Sequence, residues 1–258
     1  MKLMLSGEGP TDLGANRPVE GGNEFVPGPM AELVDKCCHM ALDYSLLEHQ
    51  RLYGGDVVVY FSRGDLSLRK NKREGRAPIL SGVKRPAGLG GITTQAWTLG
   101  ILAVEEARKS GDRVVAILFH DSDGTRAVGQ DHWSEQVAAI KQGFARAECM
   151  GGVAMVPRPK SEGWLICALR QPHYQHCAAL EESAGNDGSP NSLKAMLAAL
   201  NGGEYPSADV QADWVRDGTI DPRRIDMPSF AAFRRELDRA CGVALNRNTH
   251  DSTRAGAA

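Results

Sequence analysis

The residues of this chain best suited to chemistry are acids that fall where apolar runs end. Glu8 and Asp12 lie in Ser6-Gly7-Glu8-Gly9-Pro10-Thr11-Asp12, directly after the apolar start Met1-Lys2-Leu3-Met4-Leu5. Asp121 and Asp123 lie in His120-Asp121-Ser122-Asp123-Gly124, directly after Val114-Val115-Ala116-Ile117-Leu118-Phe119. In parallel α/β sheets, ligands bind beyond the carboxyl ends of the strands. Carboxylates delivered there from two strands make a site for a hard cation, because Mg²⁺ takes carboxylate oxygens and waters. Clustered carboxylates repel one another unless protons or cations compensate them. Two divalent ions about 4 Å apart would supply that compensation, activate a water and stabilise the leaving oxygen of a phosphodiester. The chemistry indicated is metal-dependent phosphate hydrolysis. Taken singly, each motif is weaker: Asp-Ser-Asp-Gly is also a turn sequence, and Glu8 alone would be a solvated loop acid.

The elements that must position these acids alternate. Lys2 to Ser6 reads as a first strand, followed by a Gly/Pro-rich loop through Pro29 and a helix from Met30 to about Gln50, where Leu33, Cys37, Met40, Ala41 and Leu47 recur at helical spacing. Residues 56–61 are nearly continuous in apolar side chains, as expected of a strand covered on both faces. A helix from about Thr94 to Lys109 precedes the third strand, and another runs from about Asp131 to Cys149. A fourth strand, residues 152–156, leads to a short helix with Ser161 as its N-cap. The β-α-β-α-β-α-β order predicts an α/β fold with an open, mostly parallel sheet. The expected organisation is an α/β core over 1–170, a helical C-terminal addition over 171–245 packed on that core and a disordered tail over 246–258. In the addition, Ser189-Pro190 predicts a helix start with Leu193, Met196, Leu197 and Leu200 as its buried stripe, and Phe230, Phe233, Leu237 and Cys241 form a second stripe.

Composition is that of an ordinary globular protein: 258 residues, 42% apolar, 24% charged, formal net charge −2. Any nucleic-acid surface must therefore be local. No apolar run approaches the roughly 18 residues needed to span a membrane, and the short apolar N-terminus does not read as a secretory signal. Six scattered cysteines without CxxC spacing suit a reducing cytoplasm. Cys37-Cys38-His39 and His173-x-x-His176-Cys177 lack the paired spacing of a zinc finger.

Strand, Glu-Gly, an αβα unit, strand, Asp-x-Asp: this order resembles the Toprim fold, a Rossmann-like domain shared by topoisomerases, primases, small ribonucleases and the OLD nucleases. Glu8-Gly9-Pro10-Thr11-Asp12 is similar to the Glu-Gly-x-Thr-acid motif of OLD-like nucleases. The acid-x-Trp-Leu of Glu162-Gly163-Trp164-Leu165 and the late Ser229-Phe230 are similar to the stand-alone Toprim-like proteins grouped as DUF4276. The resemblance spans about residues 1–240. It implies a Mg²⁺- or Mn²⁺-dependent nuclease in which Glu8, Asp121 and Asp123 hold the main ion, and Asp12 and Glu162 complete a second. Lys160 is the nearest candidate for the catalytic lysine of such enzymes, with Lys194 a second choice. Glu162, at a helix start, could also merely complement the helix dipole. OLD-like modules often work beside an ABC- or AAA-type ATPase in defence against phage, so a separate ATPase subunit is an expected partner; this chain has no Walker A lysine motif of its own.

Residues 62–91 depart from a minimal Toprim domain. They hold Arg63, Arg69, Lys70, Lys72, Arg73, Arg76, Lys84 and Arg85 against only Asp65 and Glu74, and read as an insertion able to track a phosphate backbone, DNA favoured. The bland reading is a solvated loop. Two rival functions stay open: an RNA-processing Toprim nuclease, and a catalytically degenerate Toprim subunit that only binds.

Overall fold

The computed structural model describes residues 1–72, 89–122 and 131–251. Their elements run in the order β1 (Lys2–Gly7), β2 (Gly14–Val19), β3 (Gly22–Pro27), α1 (Pro29–Leu42), α2 (Leu46–Tyr53), β4 (Val58–Ser62), α3 (Arg63–Lys72), α4 (Gly90–Ser110), β5 (Val114–Phe119), α5 (Asp131–Arg146), β6 (Gly152–Met155), α6 (Glu162–Leu169), α7 (Leu193–Leu200), α8 (Ala208–Arg216) and α9 (Pro228–Asp251). Short 3₁₀ turns occupy Cys177–Glu182 and Pro222–Arg224.

Side-chain alternation along the central strands divides the interior into two cores. Four parallel strands form one sheet in the order β4-β1-β5-β6. Leu3, Leu5, Ile117, Val153 and Met155 face one side, where they join Leu33 of α1, Trp164 of α6 and Phe230 and Phe233 of α9. Met4, Ala116, Leu118 and Ala154 face the other, against Leu99 of α4 and Ile140 and Phe144 of α5. Both faces are covered, which explains why these strands read as continuous apolar runs. The α/β class and the parallel sheet are thus as the sequence predicts. Of the C-terminal helices, α9 belongs to the layer that covers β5 and β6, and it runs past residue 246 to Asp251.

Several local expectations are corrected. The loop before α1 contains an antiparallel hairpin, β2–β3, turning at Glu20-Gly21 with Gly21 at φ 92°. Most of its residues are exposed, so no apolar alternation announces it. Asn16 Nδ2 donates to the Tyr60 carbonyl (3.1 Å), Phe25 stacks on Tyr60 (centroids 5.6 Å apart), and Gln50 Oε1 accepts from Val58 N (2.7 Å). Together they shield the outer edge of β4 from pairing with another chain. The single helix expected over 30–50 is broken into α1 and α2. Asp43 adopts a left-handed conformation, Ser45 caps α2, and buried Asp35 accepts from Leu46 N (2.7 Å) and Leu47 N (3.1 Å). At α7 the cap is Ser192, whose Oγ accepts from Ala195 N, rather than Ser189, and Leu200 is exposed.

The cysteines also differ from scattered thiols. Cys167 and Cys177 are joined in a disulfide, because the chain after α6 doubles back over it. Cys37 and Cys38 are buried on α1, with Cys38 Sγ 4.0 Å from Cys241 Sγ. Among the described residues no helix is long and apolar enough to cross a membrane.

Candidate functional site

The carboxyl ends of β1, β5 and β6 meet at one edge of the sheet, and backbone bonds fix how each strand leaves it. Gly7 ends β1 where a Cβ would lie 2.8 Å from Leu13 Cδ1 and 2.9 Å from Phe119 Cβ, so only glycine lets the chain turn there without displacing both. Asp12 is held by the base of the hairpin: Met30 N donates to its carbonyl (2.9 Å), and Gly28 crosses so closely that a Cβ would lie 2.5 Å from that oxygen. At the end of β5, His120 N donates to Met155 O (3.0 Å) and Ser122 N to Pro157 O (3.3 Å). Parallel pairing thereby continues past the sheet and sets Asp121 beside the segment that leads into α6.

Ser161 ties these exits together. Its backbone N–H donates to Asp121 Oδ1 (3.0 Å) and its hydroxyl donates to Asp12 Oδ1 (2.6 Å). The residue is buried and helical in φ and ψ, and its side chain makes no capping bond. The expected N-cap instead bridges two acids. Thr11 Oγ1 donates to the other Asp12 oxygen (3.3 Å). Glu8 has a partner from each strand beside β1: it pairs with His120 Nδ1 after β5, and Arg63 Nη1, which follows β4 at the start of α3, lies 3.7 Å from its Oε2. Glu162 faces inward, 5% exposed, and Tyr205 OH donates to its Oε1 (3.0 Å). Trp164 turns into the core, edge-on to Phe230 and stacked on Phe233, with its indole N–H donating to Ser229 Oγ (2.9 Å). That contact pins α6 against α9.

Electrostatics group the acids further. Burial raises the Asp12 carboxyl above the usual carboxylate range, partly offset by the Ser161 and Thr11 hydrogen bonds and by the charges of Lys194 and Lys160. Burial also raises Glu162, with the Asp12 charge adding to it; its own backbone N–H dipole, the Tyr205 hydroxyl and the Lys160 charge act against the rise. Burial and then the Glu162 charge push the Tyr205 phenol up. Lys160 Nζ and Lys194 Nζ both donate to Asp187, at 2.8 and 2.6 Å.

Of the residues singled out from the sequence, Glu8, Asp12 and Asp121 lie beyond the carboxyl ends of β1 and β5, and Lys160 and Glu162 lie at the start of α6. Asp123 lies outside the described residues, as do Arg73, Arg76, Lys84 and Arg85. Of the other basic residues, Arg63, Arg69, Lys70 and Lys72 are on α3, and Arg69 sits over the Phe61 ring at 5.0 Å. Trp133 donates its indole N–H to Val156 O (2.8 Å) and packs on the second core, as a structural residue would. Tyr205 and Asp187 escaped the sequence reading: both sit in loops between helices, with no motif around them. A cavity of about 750 Å³ between the hairpin and the edge of β4 is lined by none of these acids.

The fit to a divalent cation rests on Glu162 and Asp12. Glu162 Oε2 is buried with no hydrogen-bond partner among the described residues. Two carboxyls raised by burial, one of them with an orphaned oxygen, are groups that a cation would compensate. Among the described residues no three His, Cys, Asp or Glu side chains already converge as a ligand set; the fifth acid of the expected set, Asp123, is outside them. Comparisons with protein-family models, curated proteins and solved structures return no match to this chain.

Proposed function

We propose that this protein is a divalent-metal-dependent hydrolase of nucleic-acid phosphodiesters, DNA favoured, of Toprim/OLD-like type. One observation carries the reading: Ser161 bonds to both Asp12 and Asp121 while Glu162 is buried next in sequence, so acids leaving three strands gather at the start of α6. Glu8, Asp12, Asp121, Asp123 and Glu162 would hold Mg²⁺ or Mn²⁺. Such ions, when bound, supply an activated water and neutralise charge on the phosphoryl oxygens. The chain's own residues supply orientation. Ser161 keeps the Asp12 and Asp121 carboxylates in a set relation, and His120 holds one oxygen of Glu8. Lys160 brings positive charge to the Asp12 and Glu162 side of the edge, where charge builds on a phosphoryl group. Arg63 and Arg69 start a basic path along α3 away from Glu8. The wider reading, a nuclease subunit beside a separate ABC- or AAA-type ATPase in phage defence, rests on analogy of sequence motifs.

The test is incubation of the protein with plasmid, single-stranded DNA and RNA in Mg²⁺, Mn²⁺ or EDTA. Cleavage with metal and none in EDTA is expected. Asp121→Ala should abolish cleavage while the protein stays folded, since a strand-end loop acid makes few packed contacts. Full activity of that variant, or activity in EDTA, refutes the reading. Preference for RNA would redirect it to an RNA-processing enzyme, and binding without cleavage to a non-catalytic subunit.

A further inference from the structure

Lys160 and Lys194 come from different elements, the approach to α6 and the first turn of α7, yet their ammonium groups meet on the two oxygens of one carboxylate. Lys160 Nζ donates to Asp187 Oδ1 at 2.8 Å, and Lys194 Nζ to Asp187 Oδ2 at 2.6 Å. Asp187 sits at the tip of a closed loop: Ala184 bridges to Ser192, Asn186 Oδ1 accepts from Gly188 N (3.0 Å), and Ser189 N donates to Asn186 O (3.1 Å). The Lys160 side chain is largely buried, at 13% exposed, whereas Asp187 and Lys194 are open to solvent at 44% and 43%. Lys160 is thus held from beneath, while Lys194 and the Asp187 carboxylate lie on the solvent side.

We propose that Lys160 and Lys194 form a phosphate-binding site, which the Asp187 carboxylate fills in this structure as a stand-in for substrate. A phosphodiester, like a carboxylate, offers two outer oxygens that can each accept from a separate cation, and charge-assisted bonds of this kind are the strong ones. Lysine serves such sites as a mobile point charge. The location suits a backbone phosphate next to the cleavage edge. Both ammonium groups act on the Asp12 carboxyl, and Lys194 lies 5.9 Å from the ring of Tyr205, whose hydroxyl bonds to Glu162. With Asp187 in place the trio carries a net charge of +1 (two lysines against one aspartate), so it still attracts anions, and a polyanion competes best with the carboxylate for the lysines.

This site deepens the nuclease reading and rests on it for the identity of the ligand. Its test needs neither metal nor cleavage. Inorganic phosphate is titrated into the full chain in EDTA, with binding followed by ³¹P NMR. Asp187→Asn preserves size and removes the competing charge, so phosphate should bind about fivefold tighter, the effect of releasing two partly exposed ion pairs. Lys194→Gln should weaken it, and Lys160→Gln combined with Lys194→Gln should remove it. Thermal melts of each variant check folding, and Asp187→Ser repeats the test should the asparagine variant melt early. Unchanged or weaker phosphate binding in both Asp187 variants overturns the proposal and leaves Asp187 as an anchor for the lysines. Phosphate binding without metal-dependent cleavage would sink the nuclease assignment alone; cleavage without phosphate binding would sink this site alone.

Discussion

Glu162→Gln should stabilise the protein at neutral pH, and the gain should vanish in acid. Glu162 is 5% exposed; Tyr205 donates to Oε1, and Oε2 has no partner among the described residues. A buried polar group left unsatisfied costs about 1–3 kcal/mol, more when charged. Glutamine keeps the acceptor for Tyr205 and removes the charge, but leaves an amide where Oε2 was, so roughly 1–2 kcal/mol should be recovered. In a chain of this size that is a rise in Tm of roughly 2–6 °C. The pH dependence follows from the direction of the shift. Burial lifts the folded-state pKa of Glu162 above the ordinary value, so the folded protein holds this proton more tightly than the unfolded chain does. Wild-type stability from this group falls as pH rises from the ordinary glutamate range through the raised value, and the full penalty remains above it. Below the ordinary range both states are protonated and the two proteins should converge. Paired melts of wild type and variant from pH 4 to pH 8, in EDTA, read the difference directly. Tyr205→Phe, which removes the donor to Oε1, should move stability the opposite way at neutral pH. A Glu162→Gln protein less stable than wild type at pH 7.5, or an advantage that grows on acidification, would refute the reasoning.

Two further outcomes follow from the basic helix and the aromatic anchor. Replacing Arg63 and Arg69 together by Gln should weaken DNA binding and reduce the slope of log K against log salt by roughly 1 per lost phosphate contact; an unchanged slope would return α3 to the role of a solvated helix. Trp164→Ala removes a fully buried ring between Phe230 and Phe233 and should cost about 3–5 kcal/mol in urea unfolding, whereas a loss under 1 kcal/mol would mean that α6 is held to α9 by something else.

The sequence by itself determined the elements whose pattern is local. The strands around 2–7, 58–62, 114–119 and 152–155 are legible because both sheet faces are covered, leaving unbroken apolar runs. The acids at their ends stand out because they break those apolar runs, at the edge where such sheets place ligands. Where the signal was carried by something other than apolar pattern, reading failed. The β2–β3 hairpin is largely exposed, and the break between α1 and α2 depends on Asp35 reaching forward to cap the second helix. What only the tertiary structure decided is which distant residues meet. Ser161 looked like a helix cap, the commonest use of serine before a helical run, until folding set its hydroxyl 2.6 Å from Asp12, 149 positions earlier. The bonds of Tyr205 to Glu162, 43 positions apart, and of Lys160 to Asp187, 27 apart, are likewise set by folding. Hydrophobic periodicity records which face of each element is buried, but it holds no record of which polar atoms the packed elements bring together.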